Sequence, residues 1–361
     1  MNQASYNAST RTFVYVSAAT AGMIDTYAMD EATGALTRVS SVEAGPTVMP
    51  MAVAPDQKHL YATIRSQPYR VLTLAIDPAT GNLAQKAAAP LPDSMAYISV
   101  DPSGRLLLAA SYGGNCVAVS PIGKDGLVTE GARQLVSTGR NAHSIVSDRS
   151  GKFVFATNLG SDAVLQFVLN PETGMLEAND PPQVATGPGF GPRHIVPSPD
   201  NRYLYVLTEL TGHVIHYALD SARGTLTEVQ SVASVPDKAG LSPGVVPSAP
   251  AEDGRPKIWA ADIGITPNGR FLYTTERTTS TIALFRLNGH DGTPVYVANY
   301  PTERQPRGIR IDPSGRFLIA SGEKSDRLSV YSIGEADGEL SIVGRYPVSA
   351  GANWIEIVTF A

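Results

Sequence analysis

A unit of about 46 residues recurs along the chain and restricts the possible fold more than any other feature. Its clearest part is a polar turn followed by an apolar strand, as in PDNRYLYVL. Copies of this part start at Pro55, Pro102, Arg149, Pro199, Pro267 and Pro313. Successive starts lie 47, 47, 50, 68 and 46 residues apart, and TRTFVYVS near the N-terminus matches the strand half of another copy. Seven copies of one unit predict a repeat architecture.

Two further series run in phase with this turn and strand. Gly-containing turns such as DPATGNL, NPETGML and GEADGEL separate two extended runs in each unit. A short apolar run such as MAYISV, AHSIVS or NWIEIV precedes each polar turn. Each unit therefore contains four strands, rich in the β-branched and aromatic residues that suit a sheet. The sequence predicts an all-β fold, a seven-bladed β-propeller with four-stranded antiparallel blades.

The two ends of the chain carry complementary parts of one unit. The N-terminus begins with a second strand, whereas residues 353–358 supply an inner strand with no partner after it. Pairing them would complete the seventh blade and remove an open sheet edge. We therefore expect one propeller domain over residues 1–361. The 68-residue interval is about 20 residues longer than the others, and its Pro-, Gly- and Ser-rich excess at 235–257 predicts an inserted loop.

Composition limits the partners of the chain. Lys and Arg total 28 and Asp and Glu total 33, giving a net charge of −5 without any block of like charge, so nucleic acid is not an expected partner. Cys116 is the only cysteine, which excludes an intrachain disulfide and thiol-rich metal sites. Neither a signal peptide nor an apolar stretch of membrane-spanning length is evident. We expect a cytoplasmic monomer that binds no membrane.

Polar residues recur where a propeller brings strand ends together around the mouth of its central channel. Starts of the inner strands and ends of the strands that follow lie on one face. The starts supply His143, Arg193, His194, Asp262, Arg307 and Trp354, and the ends supply Arg65, Tyr112, Asn158, Glu209, Arg277 and Lys324. Arg193 and Glu209 are equidistant from the turn near residue 201, so their hairpin should bring them together. Convergence of so many ionisable groups predicts a ligand site.

Structural roles remain open for several of these residues. His143 and His194 could bond to neighbouring loops. For Asp262 a structural role is favoured, in which its side chain joins adjacent blades by hydrogen bonds to backbone amides. Arg307 could equally form an ion pair in the channel or bind an anionic substrate. Glu323 with Lys324, and Glu276 with Arg277, could form simple salt bridges at the rim.

Local catalytic signatures of several enzyme classes are missing from the sequence. It contains no GxSxG elbow between a strand and a helix, since GLSPG at 240–244 falls in the Pro- and Gly-rich insertion. It also has no HExxH, P-loop or paired CxxC motif, so interpretations as a serine hydrolase, a zinc protease or an NTPase have no local support. The chemistry must therefore be sought among the residues of the channel mouth.

Short motifs at the channel mouth resemble those of a known family. They are QPRG at 305–308, GPRH at 191–194, NAHS at 141–144, TEL around Glu209, ERT around Arg277 and GEKS at 322–325. Together, and over essentially the whole chain, they resemble the seven-bladed propeller lactonases, which include propeller-type 6-phosphogluconolactonases and carboxy-muconate lactonizing enzymes. The resemblance implies an active site of His143, Glu209, Arg193 and Arg277. The insertion at 235–257 departs from the phosphogluconolactonase branch.

The resemblance implies hydrolysis of a sugar-derived lactone, most simply 6-phosphogluconolactone of the pentose phosphate pathway. Glu209 or His143 would take a proton from the attacking water, and Arg193 or Arg277 would stabilise the oxyanion. An anionic small-molecule substrate would be held by the remaining polar residues, namely Arg307, His194, Asn158, Tyr112, Arg65 and Lys324. We expect no cofactor, although a metal held by Glu209 and Asp262 stays open. A muconolactone cycloisomerase and a non-catalytic interaction scaffold are the alternatives.

Overall fold

The structure is a computed structural model that describes residues 10–246 and 254–360. Its strands in the N-terminal half are β1 (Arg11–Ala18), β2 (Met23–Met29), β3 (Leu36–Glu43), β4 (Val48–Val53), β5 (His59–Ile64), β6 (Arg70–Ile76), β7 (Leu83–Pro90), β8 (Met95–Val100), β9 (Leu106–Ser111), β10 (Cys116–Pro121), β11 (Gln134–Ser137), β12 (Ala142–Ser147), β13 (Phe153–Asn158) and β14 (Ala163–Leu169). Those in the C-terminal half are β15 (Leu176–Ala185), β16 (Pro192–Pro197), β17 (Tyr203–Thr208), β18 (His213–Asp220), β19 (Thr225–Ala233), β20 (Ala260–Ile265), β21 (Phe271–Glu276), β22 (Thr281–Leu287), β23 (Pro294–Pro301), β24 (Pro306–Ile311), β25 (Phe317–Gly322), β26 (Arg327–Ile333), β27 (Leu340–Pro347) and β28 (Ala352–Phe360). Single 3₁₀ turns occur at Leu159–Ser161 and Asp237–Ala239.

The strands form seven four-stranded antiparallel sheets, as the repeats predict. Blades 1 to 6 are β4–β7, β8–β11, β12–β15, β16–β19, β20–β23 and β24–β27, each with its first strand innermost. Blade 7 combines β28 with β1, β2 and β3, and β28 pairs with β1 from Arg11 opposite Phe360 to Ala18 opposite Ala352. The predicted ring closure is therefore confirmed.

The apolar core is divided among the interfaces between neighbouring blades. One cluster joins blades 7 and 1 through residues such as Phe13, Ile24 and Leu72, and six equivalent clusters join the other neighbouring pairs. Outermost strands such as β3 and β7 alternate exposed and half-buried residues. Because each blade buries its apolar surface only against its neighbours, the closed ring leaves no sheet face uncovered.

Tyrosine hydroxyls link one blade to the outer turn of the next. The hydroxyls of Tyr15, Tyr61, Tyr205 and Tyr273 donate to the carbonyl oxygens of Gly81, Gly126, Gly292 and Gly338, at 2.9, 2.8, 2.6 and 2.7 Å. These glycines belong to the in-phase Gly-containing turns, and Gly81 has a φ of 73°. A Cβ on Gly81 would lie 2.3 Å from the Phe13 ring of the preceding blade. The recurring glycine therefore serves both the turn and the contact between blades.

The predicted insertion is a loop in its described parts. The 3₁₀ turn Asp237–Ala239 and an isolated bridge between Ser242 and Lys257 lie within it, and residues 247–253 lie outside the described residues. The amide of Gly244 donates to the carbonyl of Leu210 at 2.6 Å, which attaches the insertion to the chain directly after Glu209. Among the described residues, no helix is long and apolar enough to cross a membrane.

Replacement of Tyr205 by Phe should measure what one of these inter-blade hydrogen bonds contributes. Tyr205→Phe should lower the free energy of unfolding by about 1 kcal/mol, because the carbonyl of Gly292 loses a donor in a buried setting. Tyr217→Phe is the matched control, since the Tyr217 hydroxyl is also buried but has no hydrogen-bond partner in the described chain. Urea unfolding should show a loss only for Tyr205→Phe, and equal losses would contradict the assignment.

Candidate active site

A β-bulge at the start of each inner strand aims side chains at the channel mouth. In β12 the pairing with β13 passes from Ala142 to Ser144, and in β16 and β24 it skips Arg193 and Arg307 in the same way. The other four inner strands break register at equivalent places. A bulged residue has no partner opposite it and turns away from the regular ladder. His143, Arg193 and Arg307 are all such residues.

A half-buried carboxylate, that of Glu209, bridges two guanidiniums at the centre of the site. Arg193 is 1% exposed, and its Nε donates to Oε2 of Glu209 at 2.6 Å. Oε1 of Glu209 lies 2.8 Å from Nη2 of Arg277, whose Nε donates to the carbonyl of Trp259 at 2.9 Å. The predicted meeting of Arg193 and Glu209 is thus confirmed. Burial raises the pKa of Glu209, but Arg277 and Arg193 outweigh it, so the pKa is lowered and the carboxylate stays ionised at neutral pH.

His194 connects Arg193 to Asp262. Its Nε2 lies 2.9 Å from Nη1 of Arg193, and its Nδ1 lies 2.8 Å from Oδ1 of Asp262. Nη1 of Arg193 also donates to the carbonyl of Ala261. Burial and the charge of Arg193 lower the pKa of His194 to about 4, although Asp262 opposes them, so the imidazole is neutral at physiological pH.

Asp262 performs the structural role expected from the sequence. Its Oδ2 accepts the amide N–H of Ile309 in the next blade at 2.9 Å, and its Oδ1 accepts its neighbour's amide, that of Ile263, also at 2.9 Å. The joining of adjacent blades is confirmed, but the contact with His194 gives Asp262 a second connection, to the site.

His143 contacts the same cluster without making a hydrogen bond through Nδ1. Its side chain is buried, and Nδ1 has no hydrogen-bond partner among residues 10–246 and 254–360. Its ring packs 5.2 Å from that of His194 and 5.8 Å from that of Tyr112, measured between centroids. Burial, followed by the charges of Arg193 and other nearby cations, holds the pKa of His143 well below 6.5, so this ring is also neutral.

Aromatic rings close the channel beneath these residues. The Tyr97 ring lies 5.1 Å from that of His194 and 5.2 Å from that of Trp354, centroid to centroid. Further along the inner strands, a cavity of about 190 Å³ is lined by these three rings and by residues such as Arg310 and Ile355. A larger cavity of about 830 Å³ is lined by residues of blades 2, 3 and 4, none of them a candidate site residue. The candidate residues that the sequence singled out therefore lie apart from the larger of these two cavities.

Two further arginines approach each other across blade 7. Nη1 of Arg307 lies 2.9 Å from Oε1 of Glu323, and Nε of Arg65 donates to the Ser94 hydroxyl at 3.0 Å. Burial and the positive charge of Arg307 lower the pKa of Arg65 to about 10, so Arg65 remains cationic at neutral pH. Both charges also contribute to the lowered pKa of His143. Arg65 and Arg307 therefore belong to the same site and form its positively charged side.

The other two candidates do not join the cluster. Asn158 is fully buried, and its Nδ2 donates to the loop at 138–140, including the carbonyl of Gly139, so its amide holds that loop and is not presented to a ligand. Lys324 is exposed, and none of the described hydrogen bonds or ion pairs connects its ammonium to the site. The placement of Asn158 argues against the substrate-binding role predicted for it, whereas the role predicted for Lys324 stays a prediction.

The expected rim salt bridges are also arranged differently. Glu323 pairs with Arg307 and not with Lys324. Glu276 accepts the amide of Trp259 at 2.8 Å and the amide of Thr279 at 2.6 Å, while Arg277 pairs with Glu209. These two backbone amides occupy the carboxylate of Glu276, so Arg277 does not pair with it and its guanidinium can pair with Glu209.

Sequence reasoning overlooked Tyr97, Ser94 and Trp259. Tyr97 follows the bulge of β8 just as His194 follows the bulge of β16, so an alignment of the inner strands on their bulges would have revealed it. Trp259 belongs to the segment leading into β20, and its half-buried indole lies under the Arg277 guanidinium at 5.9 Å. No repeat signal identifies this residue, since the segment follows the insertion.

The donor set does not favour a metal site. The part of the chain that the structure describes contains no group of three or more His, Cys, Asp or Glu side chains that could hold a metal ion. The sequence left open that Glu209 and Asp262 hold a metal ion together, but in the structure each of the two carboxylates has other partners. Glu209 bridges two guanidiniums, and Asp262 accepts an imidazole N–H and two amides.

Comparison with known proteins agrees with this architecture. A family model described as "Lactonase, 7-bladed beta-propeller" matches residues 13–357. A 6-phosphogluconolactonase of Pectobacterium carotovorum subsp. carotovorum (strain PC1) is 39% identical over 280 residues, covering 78% of this chain and 79% of that protein. One of Serratia proteamaculans (strain 568) is 39% identical over 299 residues, covering 82% and 84%. The structure titled Pseudomonas aeruginosa periplasmic gluconolactonase superposes with a TM-score of 0.84 at 25% identity, covering 97% and 99%.

The bridging role of Glu209 predicts a pH dependence of stability. Its folded-state pKa is lowered from about 4.5, so the carboxylate contributes stability above that pH and loses it as the pH falls through the folded-state value. Glu209→Gln should therefore destabilise the protein most near neutral pH, and the difference from wild type should shrink as the pH falls below 4.5. Urea unfolding over a pH series measures this difference. A difference that grows with acidification would contradict the ion-pair assignment.

Proposed function

The chain belongs to the seven-bladed β-propeller lactonase family, and on this premise we propose that it hydrolyses a sugar-derived lactone. The substrate that we propose is 6-phosphogluconolactone or a related aldonic lactone. One observation carries the proposal: a neutral histidine, His143, lies in the same buried cluster as two guanidiniums fixed by one carboxylate. That arrangement offers a proton acceptor beside donors for an oxyanion, which are the two requirements of lactone opening.

We assign the proton-acceptor role to His143 and not to Glu209. Both carboxylate oxygens of Glu209 already accept hydrogen bonds from guanidiniums, and these make it a weak base. In His143, Nδ1 is buried, whereas Nε2 is used by no described hydrogen bond and is the ring nitrogen to which we assign the proton. Burial is the main cause of the lowered pKa of His143, and the charges of Arg307 and Arg65 add to it, so an anion bound to these two arginines would raise the pKa. Substrate binding would thus make His143 a better base.

The proposed reaction needs only these groups and water. Water attacks the lactone carbonyl carbon as His143 takes its proton, and the carbonyl oxygen becomes an oxyanion. Arg193 and Arg277 would stabilise this oxyanion, since no described hydrogen bond uses Nη2 of Arg193 or Nη1 of Arg277. The ring C–O bond then breaks, and the protonated His143 returns the proton to the leaving alkoxide. The product is the open aldonic acid.

Arg65 and Arg307 would hold an anionic group of the substrate. They present two guanidiniums on one side of the mouth, where Glu323 pairs with Arg307 and the charges of Asp93 and Glu323 act on Arg65. A phosphate accepts hydrogen bonds from several guanidinium N–H groups at once, which suits such a pair. The rings of Tyr112 and His194 pack against that of His143.

The remaining expectations extend this proposal. A hydrolase for 6-phosphogluconolactone would act in the pentose phosphate pathway. A cytoplasmic location and a monomeric state also stay predictions, and one structural neighbour is titled a periplasmic enzyme. Cell fractionation and light scattering would decide these two points.

Hydrolysis can be followed as proton release after addition of fresh lactone. The wild-type protein should accelerate opening of 6-phosphoglucono-δ-lactone above the spontaneous rate, and more than it accelerates unphosphorylated gluconolactone. His143→Gln should lower kcat roughly 10²- to 10⁴-fold, because it removes the proton acceptor. His290→Gln is the control, since that exposed histidine lies on an outer turn.

Two outcomes would overturn the proposal. If every sugar lactone opens only at its spontaneous rate while a carboxylated muconolactone is interconverted, the cycloisomerase alternative replaces the hydrolase. If none of these lactones reacts, the interaction-scaffold alternative gains support.

The assignment of Arg307 to the anionic group predicts a change in selectivity. Arg307→Gln should lower kcat/KM for the phosphorylated lactone roughly 10- to 100-fold, because one charge-assisted contact is lost. It should change kcat/KM for gluconolactone little. Arg304→Gln removes an exposed guanidinium from the same loop and serves as the control. An equal fall for both lactones would show that Arg307 supports the fold of the site and does not bind phosphate.

A further inference from the structure

The hydrogen bonds of His194 determine which of its ring nitrogens carries the proton. Nη1 of Arg193 lies 2.9 Å from Nε2 of His194, and a guanidinium can only donate. Nε2 must therefore accept. Since His194 is neutral, Nδ1 bears the hydrogen and donates it to Oδ1 of Asp262 at 2.8 Å.

Asp262 is held in a setting that only an ionised carboxylate satisfies. Its Oδ1 accepts from His194 and from the amide of Ile263, and its Oδ2 accepts from the amide of Ile309. All three neighbours are donors. An amide side chain at this position would have to direct its NH₂ group against one of them.

We propose that Asp262 is a positioning residue that fixes His194 as its Nδ1–H tautomer and, through it, the orientation of Arg193. The chain of contacts runs from Asp262 through His194 to Arg193 and ends at Glu209. In the other tautomer, two N–H groups would face each other across the 2.9 Å between Nε2 and Nη1. Arg193 would then lose its contact with His194, which is one of the contacts that hold the guanidinium in its orientation.

The effect of Asp262 on catalysis rests on the proposed function, whereas the assignment of the His194 tautomer does not. Arg193 is the group that we expect to bind the oxyanion, and a small displacement of such a donor weakens transition-state stabilisation. Asp262 itself touches no reacting atom in this scheme. It acts through His194, so its contribution should disappear when the imidazole is removed.

Nuclear magnetic resonance tests the tautomer without any substrate. Long-range ¹H–¹⁵N spectra of the ring nitrogens should show His194 as the Nδ1–H form in the wild-type protein. Asp262→Asn should add a population of the Nε2–H form, because its NH₂ group can turn to Nδ1 and donate to it, and only the contact with Arg193 then still favours the Nδ1–H form. Asp312→Asn is the matched control, since Asp312 is also buried and accepts backbone amides, those of Ser314 and Phe317, in blade 6. An Nε2–H form in the wild-type protein would overturn the proposal.

Kinetics in a double-mutant cycle test the positioning role. Asp262→Asn should lower kcat/KM for the lactone roughly 10- to 100-fold in the wild-type background. In a His194→Gln background, where the side-chain amide oxygen can still accept from Arg193, the same change should cost less than about 3-fold. Equal costs in both backgrounds, with a lowered Tm, would mean that Asp262 only joins the blades. If no lactone is hydrolysed at all, the proposed function fails while the tautomer result still stands.

Discussion

The pairing of β28 with β1 is the constraint on which the whole site depends. It joins the two ends of the chain over the full length of β1, from Arg11 to Ala18, and so turns seven sheets into a ring. Only in a ring do the inner strands point their starts at one axis. Residues as distant in sequence as Arg65 and Arg307 can then act on the same histidine. Closure of the ring therefore assembles the channel mouth as well as covering the sheet edges.

Within that mouth, burial of Arg193 dictates the positions of its neighbours. A guanidinium that is 1% exposed must be paired and hydrogen-bonded, because an unpaired buried charge is strongly destabilising. Glu209 supplies the countercharge, His194 and the carbonyl of Ala261 supply acceptors, and Arg277 shares the carboxylate. Each partner comes from a strand end or bulge in blade 4 or from the adjoining blade 5. The polar cluster is thus one connected network, and a change at any member is transmitted to Arg193.

The repeat made the fold and the general position of the site predictable from sequence, but it did not reveal the details of the site. Strand order and ring closure follow from three in-phase series of turns and strands. The meeting of Arg193 and Glu209 follows from hairpin symmetry, although the pairing actually shifts by one residue at the bulge. Asn158 pairs with Ala142 as Thr208 pairs with Pro192, so it lies one residue before the position that corresponds to Glu209, and its amide faces the loop at 138–140. Because successive side chains of a strand point to opposite faces, a shift of one residue in aligning the repeats moves a residue out of the site.

The charge balance of the mouth contrasts with that of the whole protein. The chain carries a net charge of −5, yet Glu209 provides one negative charge for the two guanidiniums of Arg193 and Arg277. Arg65 donates to the neutral hydroxyl of Ser94 and faces Arg307. Glu323 pairs with Arg307, Asp262 contacts His194, and the charge of Asp93 acts on Arg65, so the four guanidiniums of the mouth meet as many carboxylates and the mouth carries little net charge. What the mouth offers to the anionic lactone that we propose as substrate is therefore the set of N–H groups that no described hydrogen bond uses, such as those on Nη2 of Arg193 and Nη1 of Arg277.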